Sequence, residues 1–264
     1  MDIVYHLRAI LGGYGASKEL QYEVNVNGTK NILDESLRND VKKFIHFSTF
    51  AVYGYTNPIA NEGTPQKGLA SSYAISKRKG EKIVKEFMKK GMDITIIQPT
   101  VIHGERLDFG IRNMFSAIQN GKFRFIGNGN NLLHLGYIDN FIDGLFLASE
   151  SKKSKGQTYI IGDEKPLPFR MIVEGLADIL NVKISKFSLP EGIARISVPA
   201  FKFLAKLTKS TQPILTNHRI NFMTKNQAGS VEKAKKELGY EPKVSSKEGL
   251  RRTIDYFRKT GFLK

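Results

Sequence analysis

Cysteine and tryptophan are both missing from the 264 residues. Without thiols the chain forms no disulfide, offers no thiolate nucleophile and builds no cysteine-based metal clip. Its five histidines are scattered without ligand spacing, so no metal site is expected. Long apolar runs are absent too: none approaches the ~20 residues that span a bilayer. The opening MDIVYHLRAIL lacks the charged n-region and small-residue cleavage site of a secretory leader. These absences lead to the expectation of a cytoplasmic protein without metal, and no membrane association is expected. Acidic residues are scarce, 25 against 41 Lys and Arg, for a net charge of +16. The basic residues run the whole length without a helix-turn-helix, zinc-finger or RNP pattern. A nucleic-acid partner is therefore not expected, and the charge reads as a solvated surface open to anions.

What is present is enough for one large core with a smaller lobe, since 41% of the residues are apolar. Short apolar runs, DIVYHL (2–7), KFIHFST (43–49), DITIIQP (93–99) and TYIIG (158–162), read as strands. Helical patterns separate them over 18–38, 72–90, 108–120 and 139–150. Alternation of helices with near-continuous apolar strands implies a parallel sheet covered on both faces. After Gly162 the pattern turns to helices and short loops broken by Pro166, Pro168, Pro190, Pro199 and Pro213. The expected division is 1–163 for the sheet and 164–264 for a helical lobe, with 106–132 contributing to the lobe. The helix opening near Ser230 should stop at Gly239, with Pro242 just beyond. The stretch EGIARISVPAFKFLAKLTK (191–209) mixes apolar residues with Arg195, Lys202, Lys206 and Lys209. It reads as a lobe helix over a substrate pocket, or as a basic amphipathic helix lying on a membrane.

In SSYAISKRKGEKIVKEF (71–87), Tyr73 stands four positions before Lys77, on one helical face. A neighbouring ammonium favours phenolate, which would draw the phenol pKa from ~10 toward neutrality. Alone, Y-x-x-x-K is a common accident. Here it follows a strand that ends in Ser48 and Thr49, at the sheet edge where open α/β folds bind ligands. A strand-end hydroxyl, a tyrosine and a lysine can hold a carbonyl or alcohol oxygen and move its proton. Hydride transfer to a nicotinamide needs that partner, because the cofactor supplies only the redox half.

The ordered motifs HFSTFAVYG, YAISKRKGE, IIQPTVIHG and GNGNNLLHLGYIDNFIDG resemble the extended short-chain dehydrogenase/reductase, or NAD-dependent epimerase/dehydratase, family. VNVNGTKNIL (24–33) and DIVYHLRA (2–9) extend the likeness over essentially the entire chain. The resemblance implies a Rossmann-like doubly wound sheet, NAD or NADP as cofactor, and a catalytic set of Thr49, Tyr73 and Lys77. It implies cofactor contacts at His6, Leu7, Asn25, Lys77, Pro99, Thr100 and Val101. Two departures stand out. The family's opening G-x-x-G-x-x-G turn has no counterpart, since GGYG at 12–15 follows the wrong strand and lacks the third glycine. The chain is therefore expected to begin at the family's fourth strand, as an N-terminally truncated form whose exposed edge seeks a homodimer or a complementing N-terminal fragment. Arg8 stands where the family favours Ala.

Nucleotide-sugar epimerases of the family usually carry an Arg near Leu132 and Leu133, and its dehydratases an acidic pair at Phe50 and Ala51. What remains is similar to the 3β-hydroxysteroid and sterol-4-carboxylate dehydrogenase branch. The implied activity is oxidation of a secondary alcohol or reduction of a ketone, on a small-molecule substrate. An epimerase, or a catalytically silent binding protein, stays open as an alternative.

Overall fold

The computed structural model describes residues 2–11, 16–57, 59–67, 71–106, 111–185, 187–208, 213 and 215–263. The GGYG turn at 12–15 and Lys209 lie outside the described residues. Strand β1 (Ile3–His6) leads to helix α1 (Lys18–Tyr22), a π-helical segment (Glu23–Asn27) and α2 (Gly28–Arg38). β2 (Lys43–Phe47) passes through a 3₁₀ turn (Phe50–Tyr53) to α3 (Ser72–Lys89), then β3 (Ile94–Pro99) and β4 (Val101–His103). Next come α4 (Ile111–Gln119), β5 (Phe125–Ile126), β6 (Leu132–Leu133), β7 (Leu135–Tyr137), α5 (Ile138–Glu150) and β8 (Thr158–Ile161). The remainder comprises β9 (Leu167–Pro168), α6 (Phe169–Leu180), β10 (Ser188–Leu189), α7 (Glu191–Leu207), α8 (Asn217–Thr224), α9 (Glu232–Leu238) and α10 (Ser246–Lys259).

Strands β1, β2, β3 and β8 form one parallel sheet in that order, with His6 opposite His46 and His46 opposite Ile96. β2 is buried at every position, as an apolar strand covered on both faces must be. Alternate side chains go to opposite layers. Phe44, Ile94 and Ile96 pack with Leu33 of α2 and with Val84 and Phe87 of α3. Ile45, Phe47 and Ile97 pack with Phe141 and Ala148 of α5 and with Ala234 and Leu238 of α9. This is the expected doubly wound parallel sheet. β1 pairs with β2 alone among the described residues, so it lies at the sheet edge.

A further cluster gathers Phe115 and Ile118 of α4, Phe169, Ile172 and Leu176 of α6, and Leu250, Ile254 and Phe257 of α10. Asp163, just beyond β8, ties α10 to β7 and α5. Its Oδ1 accepts the Tyr137 N–H and Asn140 Nδ2 at 2.8 and 2.9 Å, and its Oδ2 accepts the Ser246 hydroxyl at 2.7 Å. Burial pushes the carboxyl pKa up, but these donors and the His103 imidazole 3.9 Å away outweigh it and hold it at about 2. Asn140 adds a reciprocal pair with the Val244 backbone. The α9 helix stops at Gly239 in the left-handed conformation, φ 67°, as its sequence foretells.

Candidate active site

Helix α3 opens on Ser71, whose hydroxyl accepts the Ala74 N–H at 3.1 Å. That cap places Tyr73 in the first turn, beside the C-terminal end of β2, and Lys77 one turn further in. Beyond β2, Thr49 is extended and starts the 3₁₀ turn, its Oγ1 accepting the Ala51 N–H at 3.2 Å. With that lone pair engaged, the Thr49 hydroxyl proton is free to donate, and the hydroxyl stands near enough to the Tyr73 phenol to act on its ionisation. Burial raises the phenol pKa, and the nearby Thr49 hydroxyl, a donor that favours phenolate, pulls it partly back.

Lys77 is wholly buried and donates to the Phe47 carbonyl at the end of β2. Burial lowers its pKa to about 8, against an upward pull from Glu81 one turn along. The expected depression of the phenol by this ammonium is not found. Lys77 is turned to the Phe47 carbonyl, and desolvation governs Tyr73 instead. At neutral pH the pair is therefore a phenol beside an ammonium.

Glu81 belongs to a buried chain of amides that sequence reasoning missed. Its Oε1 accepts Gln98 Nε2 at 2.8 Å and its Oε2 accepts Gln66 Nε2 at 2.6 Å. Gln98 Oε1 in turn accepts the Tyr53 hydroxyl at 2.6 Å. The carboxylate is thus fixed on both oxygens beneath Lys77, as buried charge requires. The signal was in the sequence: Gln98 is the one amide in the apolar ITIIQP run, and Glu81 lies on the Lys77 face of α3.

Asn25 lies in the π-helical segment, wholly buried. Its Oδ1 accepts the Ile10 N–H at 2.8 Å, and its Nδ2 donates to the Ile10 carbonyl at 3.0 Å and to Ser76 Oγ at 2.9 Å. The side chain therefore holds the segment after β1 and ties it to α3. Close approach of the two helices depends on Gly80, where a Cβ would stand 2.8 Å from the Asn25 carbonyl oxygen. The π-helical widening brings Asn25 to this junction, a placement typical of functional sites.

Of the residues anticipated at the cofactor, Leu7 is exposed at the end of β1, and Arg8 is exposed beside it. His6 is turned inward. Its Nε2 lies 3.1 Å from Thr29 Oγ1, and because that hydroxyl donates to the Asn25 carbonyl, the imidazole must be the donor. Pro99 ends β3, and the Thr100 side chain fills a slot between Gly136 and Gly162. The Val101 N–H is spent on the His134 carbonyl at 3.0 Å. Thr49, Tyr73 and Lys77 come together at one end of β2. Asn25 and His6 lie behind them toward α2, while Thr100 and Val101 extend from β3.

His46 was not anticipated. It stacks on His6 with centroids 5.7 Å apart, wholly buried, with neither ring nitrogen hydrogen-bonded among the described residues. Burial, with Lys77 nearby, lowers the His6 pKa to about 4 and drives His46 well below its ordinary value. Between the unfolded value of ~6.5 and the depressed folded values, the unfolded chain binds more protons. Stability is therefore complete above ~6.5 and is lost as pH falls through that window toward 4. His6 alone accounts for up to about 3 kcal/mol. A His46→Gln or His6→Gln variant should flatten the denaturant-midpoint profile between pH 6.5 and 4. An unchanged profile in both would remove the histidines as its cause.

The sequence profile of the NAD dependent epimerase/dehydratase family matches residues 1–162. The chain belongs to that family. The 3beta-hydroxysteroid-dehydrogenase/decarboxylase isoform 2 of Arabidopsis thaliana is 30% identical, covering 97% of this chain and 48% of the plant protein. The N-acetyl-alpha-D-glucosaminyl-diphospho-ditrans,octacis-undecaprenol 4-epimerase of Escherichia coli O157:H7 is 28% identical, covering 90% of this chain and 72% of its own length. The chain thus spans about half the length of the first relative and under three quarters of the second. Among solved structures, UDP-glucuronic acid 4-epimerase from Bacillus cereus with NAD superposes with a TM-score of 0.77 at 25% identity, over 98% of this chain and 75% of that one. The parallel sheet is the Rossmann-like sheet of this NAD-dependent family.

The donor set fits the family's cofactor. Lys77 carries three N–H donors and, among the described residues, spends one, on the Phe47 carbonyl. The other two suit a vicinal diol such as a ribose. Buried Ser48 Oγ, without a partner among the described residues, adds spare polar capacity at the same strand end.

Proposed function

We propose that this family member is an NAD(P)-dependent oxidoreductase acting on a secondary alcohol or ketone of low polarity. The observation that carries the reading is the hydroxyl pair of Thr49 and Tyr73 at the end of β2, with the Lys77 ammonium one helical turn away. A substrate oxygen held by both hydroxyls would accept the Tyr73 proton on reduction or return it on oxidation. A phenol kept protonated by burial favours the acid role at neutral pH. Lys77 and the ends of β1 and β3, at Leu7 and Pro99, would hold the nicotinamide half of the cofactor, which supplies the hydride.

Residues 1–163 would carry the cofactor side, and 164–264 with 106–132 the substrate lobe. Low substrate polarity is supported by Leu133, buried among Phe125, Phe169 and Leu176 in the neighbourhood where the family's nucleotide-sugar enzymes favour Arg. The name of the Arabidopsis thaliana relative agrees with a hydroxysteroid-like substrate. The Escherichia coli relative's name favours a second reading, a sugar 4-epimerase, which the same Thr–Tyr–Lys set would serve.

Initial rates with NAD and with NADP over hydroxysteroids, small ketones and nucleotide sugars discriminate between these. Turnover of the sterol-like alcohols is expected, with net reduced cofactor. Interconversion of sugars without net reduced cofactor would make the protein an epimerase. Cofactor binding without turnover of any substrate would leave a silent binding protein.

A further inference from the structure

Helix α7 turns Ala194, Val198, Phe201 and Ala205 inward and leaves most of its large apolar residues outward. The buried positions are Ala194, Val198 and Ala205; Ala194 and Val198, with half-buried Phe201, meet Ile126, Leu215 and Ile220. Ile193, Ile196, Phe203, Leu204 and Leu207 face solvent, with Ile196 82% and Leu207 65% exposed. At about 100° per residue these five, with exposed Ala200, fall within an arc of roughly 100°. A helix covering a substrate pocket would present such residues to the protein. Here the apolar stripe is continuous and has no protein against it among the described residues. Contiguous apolar surface of this kind marks an interaction site.

Charge selects the partner. Lys202 and Lys206 lie along one flank of the stripe, exposed and without an ion pair among the described residues. Arg195, on the same flank, is bound to Glu191 at 2.6 Å. A second copy docked through this stripe would set two lysine rows against each other. The whole chain carries +16, so an anionic surface is the complementary one. Among the described residues no helix is long and apolar enough to cross a bilayer. That fact set the expectation of no membrane partner, but it excludes only crossing.

We propose that α7 docks the protein flat on an anionic lipid surface, with the Ile193–Ile196–Phe203–Leu207 stripe in the acyl boundary and Lys202 and Lys206 at the headgroups. The inference is independent of the proposed reaction, because it is read by binding rather than turnover.

The absence of tryptophan provides the probe. In Phe203→Trp the indole is the sole one, and its emission should shift to the blue with phosphatidylcholine–phosphatidylglycerol vesicles. Phosphatidylcholine vesicles should give a much smaller shift. In co-sedimentation, Ile193→Ser/Ile196→Ser/Phe203→Ser should bind the mixed vesicles about tenfold less than the unmodified chain. Lys202→Ser/Lys206→Ser should lose the preference for phosphatidylglycerol. All these side chains are exposed, so circular dichroism and melting should match the unmodified chain. Unshifted emission, or a triple-serine variant that binds as well as the unmodified chain, would overturn the proposal. So would a dimer that the triple variant dissociates while vesicles bind neither form.

Discussion

Tyr73→Phe is expected to abolish turnover and leave the fold untouched. The phenol is half-buried and its ring is kept in phenylalanine, so the substitution removes the hydroxyl and leaves the packing in place. Positioned acid–base groups contribute roughly 10²–10⁴-fold, and Phe keeps the ring while removing the proton that would be transferred. Lys77→Met should be equally inactive for a different reason and should carry the opposite stability signature. The folded pKa of about 8 lies below the ordinary lysine value of 10.5, so the unfolded chain binds the extra proton between those limits. Below pH 8 the buried ammonium therefore destabilises the fold, by up to about 3 kcal/mol. Met keeps the aliphatic stem and removes the charge, though it also removes the bond to the Phe47 carbonyl. A raised melting temperature in an inactive Lys77→Met variant is expected, a site strained for function. Wild-type rates in Tyr73→Phe would sink the proposed acid–base role. A Lys77→Met variant that melts lower would show the ammonium to be a net structural asset.

The four strands of the parallel sheet were legible because each is a short apolar run, buried at nearly every position in β2, β3 and β8, so hydropathy alone locates them to within a residue or two. Tyr73 and Lys77 were legible because helical spacing fixes which side chains share a face. What the spacing could not give was direction. It placed an ammonium one turn from a phenol, but not the Phe47 carbonyl that draws the ammonium toward β2. His46 was illegible for a similar reason. A histidine inside KFIHF sits on the face toward α2, yet only the register with β1 sets it against His6. Glu81 and Gln98 lie 17 residues apart on different elements, and their bond exists only once α3 is laid on β3. Asp163 reads as a turn residue after TYIIG. Its task depends on Ser246 and Asn140, residues that a linear reading assigns to other elements.

The 264-residue chain studied by itself is expected to self-associate through β1. That strand carries Ile3, Val4 and Tyr5 with no proline or lysine among them, and among the described residues it is hydrogen-bonded on one side only, to β2. The Asp2 carbonyl accepts from Lys43, which sets the alternation. In a parallel ladder the groups of Val4 and His6 then also face β2, and those of Ile3 and Tyr5 face outward. An open row of N–H and C=O groups flanked by apolar side chains is a template for another strand. Tyr5 is 36% exposed and Leu7 57%, so the flank is uncovered as well. Tyr5→Pro tests this directly. Its N–H points away from β2, so proline deletes an outward donor while sparing the native ladder. Light scattering should show concentration-dependent association of the unmodified chain and a much weaker one in Tyr5→Pro, at similar helix content. A separate strand–helix–strand fragment that pairs with the same edge should suppress association in the same way. A monomer that persists at high concentration without any fragment would show that another part of the chain covers β1 and would overturn this expectation.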